Sequence, residues 1–282
     1  MDGAAGESAG QTPMEALRDR LAGAREARLR DAVLRIAGDV HCIVADLQAS
    51  PAELRAVVDF LTDVGHATDQ RRQEWVLLAD VLGLSSAVEE IAAPDVPGAT
   101  PQTLAGPFYR ADAPEMPLGA DLCRDGRGVP LRVAGQVVAL DGGPVAGALV
   151  EVWHANAEGF YENQEPDRQP EFNLRGRFRA DAAGRFHFRT IRPRGYALPE
   201  DGPVGRLMNR LGLRLERPAH LHFRLSAPGF RPLVTHVFDR DDPAIGRDAL
   251  FGVKPGLLAS FCPEAGGYAV ETRFVLCPED QA

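Results

Sequence analysis

The apolar residues of this chain change their period near residue 100, so it should build helices first and strands afterwards. From Met14 to Asp46, Leu17, Leu21, Leu29, Val33, Leu34 and Ile36 recur at helical spacing among Arg, Glu and Asp. Ser50-Pro51-Ala52-Glu53 opens a second helix, with Ser50 as cap, Pro51 in the first turn and Glu53 placed to close a capping box. That helix is expected to reach about Gly65, and a third to run from about Thr68 through Leu82, followed by Ser85 to Ile91. Pro94, Pro97 and Pro101 then forbid more helix, because proline lacks the N–H that each further turn needs.

From Leu131 onward the residues alternate. Arg132 to Leu140 and Ala148 to His154 read as strands joined through the turn Asp141-Gly142-Gly143-Pro144. Arg177 to Ala180 and Arg185 to Thr190 flank Ala183-Gly184, which predicts a hairpin. Arg217 to Ala227 and Leu233 to Asp239 are strands parted by Pro228-Gly229, and Tyr268 to Leu276 closes the set. The expected fold class is α+β: a flexible N-terminus over residues 1–12, a helical region over 13–100, and an antiparallel β-sandwich over 101–282.

Composition removes several classes of function. A net charge of −9 over 282 residues would repel nucleic acid and anionic membranes. No stretch approaches the roughly 20 apolar residues that span a bilayer. Met1 to Thr12 lacks the basic and apolar regions of a secretion signal, which points to the cytoplasm. Cys42, Cys123, Cys262 and Cys277 are scattered, as reduced thiols would be, and frame neither disulfides nor zinc.

Chemistry concentrates in Ala219-His220-Leu221-His222-Phe223. On a strand, His220 and His222 share one face, while Leu221, Phe223 and Leu225 enter the core from the other. Two imidazoles are thereby offered to one metal ion. Arg224 shares their parity. Two of the four tyrosines, Tyr161 and Tyr196, follow predicted strands in Glu158-Gly-Phe-Tyr-Glu162 and Pro193-Arg-Gly-Tyr-Ala-Leu-Pro199. Each is read either as a packed loop tyrosine or as a phenolate ligand. A free phenol titrates near ~10, so two phenolates at neutral pH require a strongly Lewis-acidic ion, and with two imidazoles they suit Fe(III). His41, His66 and His187 read as structural; His154, close to Tyr161 in sequence, is a candidate to support the ligands.

Thr103-Leu-Ala-Gly-Pro-Phe-Tyr109, Gly159-Phe-Tyr161, Gly195-Tyr196, Pro203-Val-Gly205 and Arg217-Pro-Ala-His-Leu-His-Phe223 resemble the intradiol ring-cleavage dioxygenases, in order and in spacing. The resemblance runs from about Leu17 to Leu276. It implies a non-haem Fe(III) held by Tyr161, Tyr196, His220 and His222, with O2 and an aromatic ortho-diol as substrates. It also implies a homodimer built on the helical region, with phospholipid at the interface. Tyr196-Ala-Leu-Pro-Glu-Asp-Gly-Pro203, Leu233-Val-Thr-His-Val-Phe238 and Asp248-Ala-Leu-Phe-Gly-Val253 are similar to the hydroxyquinol-cleaving branch. By that likeness Arg217, Tyr196 and His236 serve catalysis. Leu77, Asp80, Leu104, Ala105, Gly106, Phe108, Leu198, Pro199, Arg217 and Leu250 line the substrate pocket. Leu104-Ala105 and Glu171-Phe-Asn-Leu-Arg-Gly176 depart from the branch, and catechol or a substituted or chlorinated catechol is the alternative substrate. Two other classes stay open on residues alone: a zinc hydrolase using His220 and His222, and a sandwich module that only binds a ligand or partner.

Overall fold

The computed structural model describes residues 11–69, 72–93 and 96–279. Most of the expected flexible N-terminus, together with Pro94, lies outside the described residues. The chain divides into two compact units, one ending at Asp63 and the next beginning at Val64.

In the first unit the helical run expected from Met14 to Asp46 is two helices, α1 (Pro13–Leu21) and α2 (Ala27–Asp46). Gly23 falls in the break, where glycine's backbone entropy costs about 1 kcal/mol in a helix. Thr12 caps α1: its hydroxyl accepts from the Glu15 N–H at 3.3 Å, and the Glu15 carboxylate accepts from the Thr12 N–H at 2.8 Å. Ser50 and Glu53 make the same box at α3 (Pro51–Ala67), which runs two residues past Gly65. Leu29, Val33, Ile36, Val40 and Ile43 on α2, with Leu47 at its C-cap, step by four and three along one stripe and are all exposed, as are Leu54, Val57, Val58 and Leu61 on α3.

The second unit adds α4 (Glu74–Val81) and α5 (Leu84–Ala92), separated at Gly83, whose φ of +74° suits a residue without a side chain. Then follow β1 (Pro130–Ala139), β2 (Leu149–Trp153), β3 (Arg175–Arg179), β4 (Arg185–Ile191), β5 (Tyr196–Ala197), α6 (Pro203–Arg210), β6 (Glu216–Arg217), β7 (His220–Ser226), β8 (Leu233–Asp239), β9 (Leu258–Ala259), β10 (Cys262–Glu264) and β11 (Gly267–Leu276). One sheet has the order β10-β11-β1-β4, the other β3-β2-β7-β8-β9, and β5 pairs with β6 apart from both. Val133, Val137, Phe186, Phe188 and Phe274 meet Val150, Val152, Phe178, Leu221, Phe223 and Leu225 between the two large sheets, a sandwich core. Phe223 sits 4.8 Å from Phe274, ring to ring. The parity on β7 is the one alternation predicts: Leu221, Phe223 and Leu225 point inward, leaving His220 and His222 on the opposite face.

Three expectations are corrected. The sandwich is mixed, since β1 runs parallel to β11 and β8 parallel to β9. The hairpin around Ala183-Gly184 does not form: β3 pairs with β2 and β4 with β1, in different sheets. The turn itself is tight, with the Asp181 carboxylate accepting from Ala183 and Arg185 N–H at 2.8 Å. However, Phe178 and Phe188 stack at 5.1 Å across the core, so burying both rings sends the two strands to opposite layers. Tyr196 lies on a short strand, opposite Arg217, instead of in an open loop. Helix α6 escaped periodicity because it is short; the Gly202-Pro203 start was its one signal.

Candidate active site

The ladder around β7 brings the histidines together. His222 stands opposite His236 on β8 and opposite Trp153 on β2. Trp153 stacks on the His222 ring at 4.8 Å and 12°, fixing its plane. His220 Nδ1 lies 2.6 Å from the Pro218 carbonyl, to which it must donate, so its Nε2 carries a lone pair. That Nε2 is 3.2 Å from His222 Nε2. The His236 ring lies 4.2 Å from His222 and 5.0 Å from His220, and these three buried imidazoles form a metal-capable cluster.

Tyr161, 1 % exposed, comes in from the segment after β2, its ring 6.2 Å from His222. Tyr196 stands edge-on to it at 6.0 Å and lies 5.7 Å from His220. The four residues read as ligands therefore converge, although they come from three separate parts of the chain. The Tyr161 hydroxyl is buried and makes no well-formed hydrogen bond, only a weak contact with the Tyr196 phenol, while His222 Nδ1 and His236 Nε2 are buried without a partner. A buried hydroxyl left unpaired costs about 1–3 kcal/mol, so its retention calls for a partner of another kind.

Electrostatics point the same way. Burial, and next the neighbouring Tyr196, hold the Tyr161 phenol well above its ordinary pKa. Burial first and the Arg217 cation second hold His220 well below the usual imidazole value. Burial and then His236 do the same to His222, and burial and then Arg217 to His236. Neutral imidazoles offer lone pairs, and a bound cation reverses the preference of a buried phenol, because its charge stabilises the phenolate. Two hard oxygens and two imidazoles fit Fe(III).

Gly159 is shaped to this arrangement. Its φ is +93°, and a Cβ there would stand 2.7 Å from the Tyr196 Cβ. Gly159→Ala is expected to cost about 1–3 kcal/mol and to displace Tyr196. Denaturant unfolding and iron content, measured together, check both consequences.

Arg217 is buried beside His220, with a guanidinium nitrogen 3.5 Å from His220 Nε2 and Nε donating to Asp248 at 3.1 Å. Asp248 also accepts from the Gly252 N–H at 2.9 Å, tying the same carboxylate to the loop that carries Leu250. His236 Nδ1 meets the Thr103 hydroxyl at 2.5 Å. Arg224 turns to Glu151, whose other oxygen accepts from Tyr109 at 3.0 Å. His154 stays outside the ligand group, bonding Ala155 O at 2.8 Å and Thr190 Oγ1 at 2.7 Å.

Burial pulls His154 down from 6.5 to about 4, which gives a pH prediction. The unfolded chain takes this proton first, so the stability from the neutral ring is full above pH ~6.5 and is lost as pH falls towards ~4. The loss reaches about 3 kcal/mol. His154→Gln should flatten this part of the profile when unfolding is followed across that range.

A cleft opens beside His236, lined by Asp80, Leu104, Gly106, Arg217, His236 and Leu250 from among the predicted residues. Leu77, Ala105, Phe108, Leu198 and Pro199 are not among its lining residues. Phe108 instead stacks on Tyr161 at 4.3 Å. Ser86, Glu89, Gln102 and Lys254 also line the cleft and had no signal in the sequence, since they come from three segments joined only by folding; Phe251, inside the Asp248 to Val253 motif, lines it too. Asp80 is half-buried, and burial raises its carboxyl against the opposing pulls of Ser85 and Arg217.

Among the described residues, no helix is long and apolar enough to cross a membrane. Residues 104–276 match the sequence model of the family described as Dioxygenase, and residues 26–100 match that described as Catechol dioxygenase N terminus. These matches, with the mixed helical and sheet-rich fold, define a dioxygenase. A hydroxyquinol 1,2-dioxygenase of Rhizobium sp. is 47% identical over 83% of this chain and 79% of that protein. A 6-chlorohydroxyquinol 1,2-dioxygenase of Cupriavidus pinatubonensis is 40% identical over 92% of this chain and 94% of its own. The crystal structure of hydroxyquinol 1,2-dioxygenase from Pseudomonas putida matches with a TM-score of 0.89 at 35% identity, covering 94% of this chain and 97% of that one. The chain belongs to the intradiol ring-cleavage dioxygenase family, a generally iron-dependent group of ring-cleaving oxidoreductases.

Proposed function

We propose that the chain opens the ring of hydroxyquinol (benzene-1,2,4-triol) with O2. The bond between the two adjacent hydroxylated carbons breaks, and both atoms of O2 enter the product, 3-hydroxy-cis,cis-muconate, the enol form of maleylacetate. The observation that carries this reading is the buried Tyr161 phenol, without a well-formed hydrogen bond and with its ring 6.2 Å from that of His222, whose Nε2 stands 3.2 Å from His220 Nε2. Tyr161, Tyr196, His220 and His222 would hold Fe(III). Bound there, the ion would acidify both the phenols and an ortho-diol, so that their oxygen anions persist near neutral pH.

The remaining steps fall to side chains. Tyr196 is only half-buried and is the group best placed to accept a proton from the diol. Arg217, held by Asp248, supplies a desolvated positive charge for the negative charge that builds on the ring oxygens. His236 lines the same cleft and has a buried Nε2 without a partner. Asp80, on the cleft wall, is a hydrogen-bond acceptor for the third hydroxyl of a triol.

Oxygen uptake on hydroxyquinol and catechol side by side, corrected for autoxidation, tests the assignment. Faster uptake on the triol is expected; equal or preferred catechol turnover would reassign the substrate to a catechol and the product to a cis,cis-muconate. Asp80→Ala is expected to lower kcat/KM for hydroxyquinol about tenfold relative to catechol, the effect of one lost hydrogen bond to a charged group.

The exposed stripe of α2 and α3 supports a homodimer: its four-and-three spacing is that of a helix seam, and apolar surface of this extent is rarely left to water. Phospholipid belongs to the same proposed interface. Sedimentation before and after delipidation measures both.

A further inference from the structure

Arg175 opens β3 and is 1 % exposed, a cation buried in the unit that holds the candidate site but with no part in the chemistry described above. Its Nε donates to the Glu162 carboxylate at 2.6 Å, and another guanidinium nitrogen donates to the Phe108 backbone carbonyl. Its third nitrogen reaches Asn163 Oδ1 at 3.5 Å. The guanidinium carbon lies 5.8 Å from the centre of the Tyr161 ring. Phe108 covers that ring at 4.3 Å and 22°. One planar fork thus grips the residue that follows Tyr161 and the residue stacked upon it.

The delivery of this side chain is equally specified. Phe172 and Leu174, just before it, hold φ of +58° and +60°, a conformation unfavourable for such side chains. Asn173 between them donates to Gln169 at 3.0 Å and to Asp125 at 3.2 Å, and accepts from the Arg124 N–H at 2.8 Å. Arg110 lies 4.1 Å over the Phe172 ring and reaches Glu162 at 3.3 Å. Backbone strain of this kind persists only where the surroundings over-determine it. An apolar side chain could fill the volume without desolvating a charge, so packing alone does not account for an arginine.

We propose that Arg175 is a positioning residue for Tyr161, fixing Glu162 and Phe108 on its two flanks so that the phenol oxygen is held towards His220 and His222. The proposal rests on Tyr161 being a metal ligand, as above. A lysine would keep the charge but lose the fork that binds two acceptors at once.

The test compares wild type, Arg175→Lys and Arg175→Met as purified iron-loaded proteins. It reads iron retained against a chelator, the visible phenolate-to-iron absorption per bound iron, thermal unfolding, and kcat and KM. Both variants are expected to hold iron about 10–100-fold more weakly and to shift the visible band, with kcat falling more than KM rises. Should Arg175→Met fail to fold, Arg175→Lys carries the test alone. A variant that unfolds earlier yet keeps wild-type iron retention and an unmoved band would make Arg175 merely structural and overturn the proposal. Wild type without iron or a visible band would overturn the ligand assignment itself, and this proposal with it.

Discussion

Tyr161→Phe should abolish ring cleavage and yet leave the metal-free protein at least as stable as before. The hydroxyl it removes is buried and makes no well-formed hydrogen bond, only a weak contact with the neighbouring Tyr196 phenol, so the fold loses little when it goes. Relieving a poorly satisfied polar atom is expected to stabilise the metal-free chain by about 1–3 kcal/mol. The effect on activity runs the other way. Loss of residues that merely support metal ligands costs about 10–100-fold in affinity or activity, and loss of a ligand should exceed that range. Unfolding of the metal-free proteins, beside oxygen uptake of the iron-loaded ones, reads both signs. A tyrosine that only packs would give retained turnover, whatever the change in stability.

Arg217→Met should be costly twice, and the two costs can be separated. Arg217 and Asp248 form a buried ion pair at 3.1 Å, with side-chain exposures of 4% and 2%. Removing the cation strands a carboxylate, which is expected to destabilise the fold by about 3–5 kcal/mol. It also removes the charge facing the ring oxygens, worth about 10²–10³ in kcat. Arg217→Met combined with Asp248→Asn removes the stranded charge, so stability should largely return. Turnover should not return, because no cation remains beside the substrate. Recovery of both together would mean that Arg217 acts only through the fold.

How much of this could be read beforehand depends on whether a property is local. Strand parity is local, so the common face of His220 and His222 followed from their spacing alone, with Leu221 and Phe223 sent to the core. Caps are local too, and Ser50 with Glu53 marked the start of α3. Sheet membership is not local. Alternation in Arg177 to Ala180 and Arg185 to Thr190 identified strands, but the burial of Phe178 and Phe188 from opposite layers decided that they would not pair. The parallel pairing of β1 with β11 joins residues too far apart in sequence for a turn signal to disclose it.

The site divides along the same line. Tyr161 and Tyr196 drew notice because they sit in short segments with glycine beside them, and the close approach of Gly159 to Tyr196 is the physical reason for one of those glycines. Thr103 against His236 joins residues 133 apart, which no spacing rule reaches. The grip of Arg175 on Phe108 was hidden likewise, because Phe108 lies in a segment whose course only packing determines.

The most direct test of the central claim is metal analysis of the unmodified protein together with its visible spectrum. Iron in stoichiometric amount, with a phenolate-to-iron band that disappears in Tyr161→Phe, is the predicted result. A colourless protein carrying zinc on His220 and His222, with a spectrum indifferent to Tyr161, would contradict it.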